Sequence, residues 1–598
     1  MEIKDIQEHI IKLIKSKLVG LSTDFIIDLE IPPNPKMGDL AVGCFRMAKI
    51  LKKSPEKIAQ DLALKIKPDE IIEKINNTGP YLNFFLKKEN WFKTVCQEIL
   101  DKKDKFGNSD FGQKKKILIE YSAPNTNKPQ HLGHLRNNFL GMAVANLFSC
   151  LGFKAIKVNL INDRGIHICK SMLAYQKWGE NKTPESENMK GDHFVGKYYV
   201  LFEEKAKEDP KLLDEAQELL RKWENRDTET LALWQKMNRW AINGFSQTYK
   251  KIGTEFDKIY YESETYKLGK KIILKALKKG LCYKRPDGAV EVDLTKDGLD
   301  KKVLIRADGT SVYVTQDIGL AKLKYDDFKP DRSIYVVASE QEYHFKVLFT
   351  ILPLFGFKWV KNLYHLSYGL VFLPEGKMKS REGKVVDADE IIAEVEKLAK
   401  GEILAREPNI SPIELSARAE KIALGAIKFF FLKVSPKQEI NFKPEESISF
   451  EGATGPYIQY TYARIQSILR KSNIPEGEQA PYGASQHPVS LKENKLPTKQ
   501  ASIHVDYSNL GAREEVEILK LLFIFPDILQ RATLAMDPSV LANYLLKLCQ
   551  FFNEFYHQHP VLQAEEKIKI VRLNFITSIA EIIKKGLDIL GIQTLEIM

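Results

Sequence analysis

One short string fixes much of the architecture around it. His131-Leu132-Gly133-His134 stands where a strand pattern gives way to a helix pattern. Upstream, residues 116–123 (KILIEYSA) form a short apolar run suited to a buried strand. Pro124 ends it, and Asn125, Thr126, Asn127, Lys128, Pro129 and Gln130 make a polar loop leading to the histidines. From Leu132 onward, Leu135, Phe139, Leu140, Ala143 and Leu147 recur at helical spacing. Two imidazoles and a glycine therefore sit at a strand-to-helix turn, where free backbone N–H groups and the helix dipole favour anions. Imidazole N–H groups there can donate to phosphate oxygens, and Gly133 leaves room for a flat base against the backbone. With 11 His and 34 Gly in 598 residues, about 0.01 matches to His-x-Gly-His are expected by chance.

Composition narrows the class. At 598 residues the chain is long enough for about four domains. Its 44% hydrophobic and 28% charged content is that of an ordinary soluble protein. Ninety Lys+Arg against 79 Asp+Glu leave +11, which permits an RNA partner without requiring one. Cys44, Cys96, Cys150, Cys169, Cys282 and Cys549 include no Cys-x-x-Cys pair, so neither a structural zinc nor any other resident metal is expected. Scattered cysteines in a large chain suit a reducing compartment. No run approaches the roughly eighteen apolar residues of a membrane span. Ile3, Ile6, Ile10, Leu13 and Leu18 share one helical face, but Asp5 and Glu8 rule out a signal-peptide core. A cytoplasmic protein with no membrane partner is expected.

Three units follow along the chain. Residues 1–112 read as an α/β domain: a helix at 3–19, a strand-like stretch at 24–31 and a turn-rich segment at 32–39. Helices near 40–51 and 55–66 and a strand at 81–86 complete it, and a polar link at 101–113 follows. Residues 113–410 begin with strand, helix, strand at 116–123, 131–151 and 155–162, which predicts a parallel, doubly wound sheet. A helical insertion interrupts it at about 166–300. The sheet resumes after the Asp308-Gly309 turn, with strands at 333–339 and 363–373 and a helix at 387–400. Residues 411–598 read as all-helical, with helices at 412–433, 455–472, 514–533, 538–558 and 564–590. A loose excursion rich in Pro, Gly, Ser and Gln occupies about 473–513.

A second motif follows the strand at 363–373. In Pro374-Glu-Gly-Lys377-Met378-Lys379-Ser380-Arg381-Glu-Gly383, glycines flank a cationic stretch. Such a loop can fold over a polyphosphate and neutralise charge developing on a leaving group. In an open parallel sheet both motifs emerge at the carboxyl ends of strands, where ligands bind.

Together the two motifs resemble the HIGH and KMSKS signatures of class I aminoacyl-tRNA synthetases, and the chain is similar to the arginyl members. Residues 120–137 (EYSAPNTNKPQHLGHLRN), 313–317 (YVTQD), 338–344 (ASEQEYH) and 452–464 (GATGPYIQYTYAR) carry that likeness, with 586–591 (GLDILG) near the end. The resemblance implies a Rossmann-like catalytic domain, an additional N-terminal tRNA-binding domain and a C-terminal helical anticodon-binding bundle. It implies ATP with Mg2+, L-arginine and tRNA(Arg) as partners, a monomer, and activation of the amino acid only once tRNA is bound. Missing zinc-ligand cysteines argue against a cysteinyl relative, and intact His131, His134 and Lys377 argue against a non-catalytic RNA-binding one.

The resemblance also assigns residues. His131 and His134 contact phosphate and ribose, with Gly133 beneath the adenine. Lys377, Met378, Ser380 and Arg381 belong to the ATP loop. Ser380 stands where the signature has its second lysine; Lys128, three residues before His131, is the expected substitute, with Arg381 a weaker one. Glu120, Ser122, Asn125, Tyr313, Asp317 and Gln341 are expected around arginine. The physics agrees: a guanidinium is a planar fork of five donors, suited to a bidentate carboxylate such as Asp317. Tyr313, read as the end of a strand leading into that helix, offers a ring face or hydroxyl. Arg164 departs from the family, which often has tryptophan there; the flanking Asp163 and Gly165 match. In the last unit, Tyr457, Tyr460, Tyr462 and Arg464, and Phe551, Phe552, Phe555, Tyr556 and His557, suit either unstacked bases or the bundle core.

Overall fold

A computed structural model describes residues 1–18, 25–32, 34–373, 387–472 and 505–598. Five parallel strands form the central sheet, in the order Leu363–Tyr368, Arg332–Ala338, Lys116–Glu120, Lys154–Ile161, Lys258–Tyr261. The inner strands are apolar on both faces: Ile117, Leu118, Ile119, Ile334 and Val336 are all buried. Such strands need helices on both sides of the sheet. From Lys116–Glu120 the chain moves outward to Lys154–Ile161 and Lys258–Tyr261, then crosses to Arg332–Ala338 on the other side. That reversal opens a crevice at the carboxyl end of the middle strand. The His131–His134 turn stands there.

Helix Leu132–Cys150 covers one face of the sheet and is buried around most of its circumference. Leu140 and Val144 face the sheet core, whereas Leu135, Phe139 and Leu147 join the core of the C-terminal helices. Those helices are Pro412–Leu432, Gly455–Ser472, Arg513–Ala535, Ser539–Gln558 and Glu566–Ile589. The N-terminal region leans on them too: Trp91 meets Phe523 and Phe92 meets Phe575, edge to face at 5.6 and 5.5 Å. One continuous apolar core therefore runs through all three regions. Among the described residues no helix is long and apolar enough to cross a membrane.

Several expectations are corrected. The insertion is not purely helical: Lys258–Tyr261 returns to the main sheet as its edge strand. Tyr283–Lys284, Val290–Val292 and Lys302–Ile305 make a small antiparallel sheet. The expected strand at 363–373 is two pieces, since Val371–Phe372 pairs with Ile440–Asn441 instead. Near the N-terminus, Leu40–Gly43 is a strand and only Phe45–Leu51 is helix. Within the described part of 24–31, Glu30 makes a lone bridge to Ala41. Ile72–Thr78 is an additional strand, paired with Tyr81–Leu86. The link at 101–113 begins inside helix Lys88–Lys102.

Candidate active site

The two histidines cap their own helix. His131 is the N-cap of Leu132–Cys150, and its Nδ1 accepts from the Gly133 N–H at 3.1 Å. In return the His131 N–H donates to Nδ1 of His134, also at 3.1 Å. Each imidazole thus uses Nδ1 as an acceptor, so in the neutral ring the proton must sit on Nε2. The rings stand 3.9 Å apart. Burial, reinforced by nearby Lys128, pushes His131 down to about 4; burial pushes His134 well below its usual range, with His131 and Lys128 adding to it. The result is a pair of neutral rings, each with one fixed N–H donor. Gly133 serves this packing directly: a Cβ there would meet the His131 ring at 3.0 Å.

Lys128 is half-buried, and burial lowers its pKa. Its charge acts on His131, His134 and His167. Lys377, Met378, Ser380 and Arg381 lie outside the described residues. The segments bounding them are anchored on the same helix start. On one side the Arg136 guanidinium donates to the carbonyls of Gly369 and Leu370, and to those of Pro436 and Gln438 at 3.0 and 2.7 Å. On the other, Asp387 bridges to His131, and the Ala388 N–H donates to the Gln130 carbonyl at 2.9 Å.

The residues expected around arginine divide into two groups. Asn125 and Tyr313 line a cleft of about 980 Å³, together with Asn162, Arg164, Glu262 and Gln316. Tyr313 is not on a strand as expected; it opens helix Tyr313–Phe328 and is 71% exposed. Asp317 follows one turn later on the same face. Its carboxylate lies 2.6 Å from Nε2 of His344, a partner that sequence reading quoted but did not assign. Gln341 is exposed in a turn after Arg332–Ala338. The Glu120 carboxylate is engaged through Oε2 by the buried Lys324, whose ammonium lies 4.2 Å from the Tyr335 ring. Ser122 is turned inward: its hydroxyl pairs with the Tyr249 hydroxyl at 2.6 Å, and its N–H donates to Asn137. Its hydroxyl therefore joins the strand end to the insertion.

Glu262 is the carboxylate that sequence reading missed. It stands at the start of helix Glu262–Lys278, which packs closely on Tyr313–Phe328. The approach depends on two glycines. A Cβ on Gly269 would lie 1.7 Å from the Thr315 carbonyl oxygen, and one on Gly319 would lie 2.4 Å from the Gly269 nitrogen. This contact brings Glu262 within hydrogen-bond reach of Gln316 and under the charge of Asp317. Burial pushes Glu262 up to about 7 against the pull of Arg164. A desolvated carboxylate beside a second one gains from pairing with a cation.

In the C-terminal helices, Tyr462, Phe552 and Phe555 are core. Arg464 instead lies over Tyr460 and Tyr556 at 4.8 and 5.5 Å and bonds Asn553, which also meets the Tyr457 hydroxyl at 2.8 Å.

Comparison with known proteins finds one family along all three regions of the chain. The family model of the arginyl tRNA synthetase N terminal domain matches residues 4–86, that of the class I (R) tRNA synthetase catalytic domain 95–443, and that of the DALR anticodon binding domain 458–598. The chain is 47% identical over 580 residues to the arginine–tRNA ligase of Treponema denticola, spanning 96% of this chain and 95% of that one. It is 43% identical to that of Parabacteroides distasonis, over 94% of each chain. The solved Thermus thermophilus arginyl-tRNA synthetase superposes with a TM-score of 0.80 at 26% identity, covering 100% of both chains. The chain belongs to the arginyl-tRNA synthetase family of class I.

Proposed function

We propose that this chain activates L-arginine with ATP and transfers the arginyl group to tRNA(Arg). A carboxylate oxygen of arginine attacks the α-phosphorus, forming the P–O bond of arginyl-adenylate as the bond to pyrophosphate breaks. A hydroxyl of the terminal adenosine then attacks the arginyl carbonyl, and AMP departs with the bonding pair. Neither step needs an enzyme nucleophile, so positioning and electrostatics supply the acceleration.

The observation that carries this reading is the reciprocal cap of His131 and His134. It presents two preset Nε2–H donors at a helix N-terminus, and Asn125, a few residues upstream, lines the cleft in which Glu262 stands among several Lys and Arg side chains. We assign these donors to phosphate and ribose oxygens. Lys128 adds a cation where Ser380 cannot, and Lys377 would meet the departing pyrophosphate. Asp317 and Glu262 would share the substrate guanidinium, with Tyr313 against it and Asn125 and Gln341 at the substrate's backbone end. Glu120, held by Lys324, lines the strand end nearby. Magnesium would arrive with ATP and offset phosphate charge. Asp192, His193 and Asp389 form a cluster of ligand-type side chains. Lys190 lies 3.1 and 2.6 Å from its two carboxylates, however, so their charge is met by an ammonium.

On this reading residues 1–112 bind tRNA beside the catalytic unit 113–410, and residues 411–598 hold the anticodon. The protein would work as a cytoplasmic monomer. ATP–pyrophosphate exchange over a panel of amino acids, with and without tRNA(Arg), tests it. Exchange driven by arginine alone among the panel, and dependent on tRNA, is expected; exchange with another amino acid, or none with tRNA present, overturns it.

A further inference from the structure

Arg164 stands in the wall of the same cleft, with its side chain only 9% exposed. Its guanidinium lies 4.2 Å from the centroid of Tyr266 and 5.3 Å from that of Trp223. One terminal nitrogen is 2.8 Å from Glu224, on the insertion helix Lys211–Glu224; the other is 3.6 Å from Glu262. The first is a charge-assisted hydrogen bond, whereas the second exceeds hydrogen-bond length yet is close enough for strong Coulomb coupling. The Arg164 Nε is buried without a hydrogen-bond partner, so ring stacking and the two carboxylates set its orientation. Glu224 accepts from one arm of the fork, and at 3.6 Å Arg164 donates no hydrogen bond to Glu262, whose side-chain partner is Gln316.

Glu262 needs that neighbour. Besides Arg164 it faces Asp163, which is fixed by Ser263 at 2.7 and 2.8 Å, and Asp317, with Gln316 as its hydrogen-bond partner. Among these groups Arg164 is the one cation, opposing both the burial and the repulsion from two acids. A tryptophan at this position would supply the stack but not the charge.

We propose that Arg164 is a positioning residue for arginine selection: its stacked guanidinium, 3.6 Å away, holds the Glu262 carboxylate in the cleft wall and keeps more of it ionised than burial alone would allow, available to the guanidinium of the substrate. The inference rests on the proposed function and assigns a part to a residue which that reading leaves without one. Without Arg164, Glu262 is protonated at neutral pH and presents a neutral acid to a cation.

The test uses the full-length protein with saturating tRNA, measuring arginine and ATP KM by exchange from about pH 6 to 9. Arg164→Met and Arg164→Gln should each raise arginine KM about fivefold at pH 7, the loss of ionised carboxylate that a further one-unit rise from about 7 produces. The defect should shrink as pH rises and Glu262 ionises, and ATP KM should not move. Arg164→Lys should have a smaller defect than either neutral variant, because it keeps the charge while losing the planar stack. In an E262Q background, Arg164→Met should add nothing. An arginine KM unchanged in both neutral variants, one raised equally at every pH, or an ATP KM rising in step would each overturn the proposal. A parent protein without arginine-dependent exchange would overturn the proposed function instead, so the two failures are distinct.

Discussion

A histidine that accepts a backbone hydrogen bond at Nδ1 has only Nε2 left to carry its proton, and both signature histidines are in that state. Their contribution is therefore donation to developing charge. His134→Ala should lower kcat by about a hundredfold, the usual cost of one preset donor, with little change in arginine KM. Steady-state aminoacylation reads both. Asp317→Ala should act oppositely, raising arginine KM roughly a hundredfold while ATP KM moves far less; equal changes would remove Asp317 from the guanidinium site. His131 also sets a pH dependence of stability. Its folded pKa is about 4, against an ordinary value of 6.5. As pH falls through 6.5 the unfolded chain takes up the proton first, so stability from this group falls between 6.5 and about 4. His131→Asn keeps a capping oxygen but cannot titrate, so its unfolding free energy should fall less over that range than the parent's in urea titrations. The histidines and Asp317 were legible because each lies in a compact motif. Glu262 and Lys324 were not, because their partners lie 55 and 204 positions away in sequence. The Ser122–Tyr249 pairing was not legible either, because the motif says nothing about which way the hydroxyl turns.

Elements place these residues by close contact. Helix Glu262–Lys278 can bring its first residue to Asp317 only because Gly269 and Gly319 meet backbone to backbone. Gly269→Ala should force the helices apart, costing about 1–3 kcal/mol in urea unfolding and raising arginine KM more than ATP KM. A fully stable variant with normal kinetics would contradict that role. Longer elements were readable from sequence: strand Tyr81–Leu86 and the C-terminal helices carry a hydrophobic period, and helix Leu132–Cys150, buried around most of its circumference, shows as a long apolar run. Short ones were not. Lys258–Tyr261 spans four residues, too few for alternation to register, and tertiary pairing alone makes it a sheet edge. Leu40–Gly43 runs straight into Phe45–Leu51, so its apolar residues merged with the helix pattern. The Arg136 clamp was invisible too, because four of its acceptors are backbone carbonyls far along the chain.

Across the whole molecule, one apolar core joins the N-terminal region, helix Leu132–Cys150 and the C-terminal helices. The likeness spans the same extent, since the matched relatives are covered almost end to end. Changes in periodicity suggest three units, but packing through Trp91, Phe92 and Phe523 was not legible, because pairing between distant aromatics leaves no local pattern. At the surface of the last unit, Arg464 with Tyr460 and Tyr556 offers a cation and two ring faces. Arg464→Ala should raise the KM for tRNA about tenfold, the worth of one stacked base, with arginine KM unchanged at saturating tRNA. Unchanged tRNA KM would return these side chains to a purely structural role. The most direct measurement of the whole account is a crystal structure with tRNA(Arg) and a non-reactive arginyl-adenylate analogue. The account predicts the Nε2 atoms of His131 and His134 within hydrogen-bond distance of the nucleotide's phosphate or ribose oxygens, and the guanidinium held between Asp317 and Glu262. A guanidinium bound away from both carboxylates, or a nucleotide remote from the paired imidazoles, would contradict it.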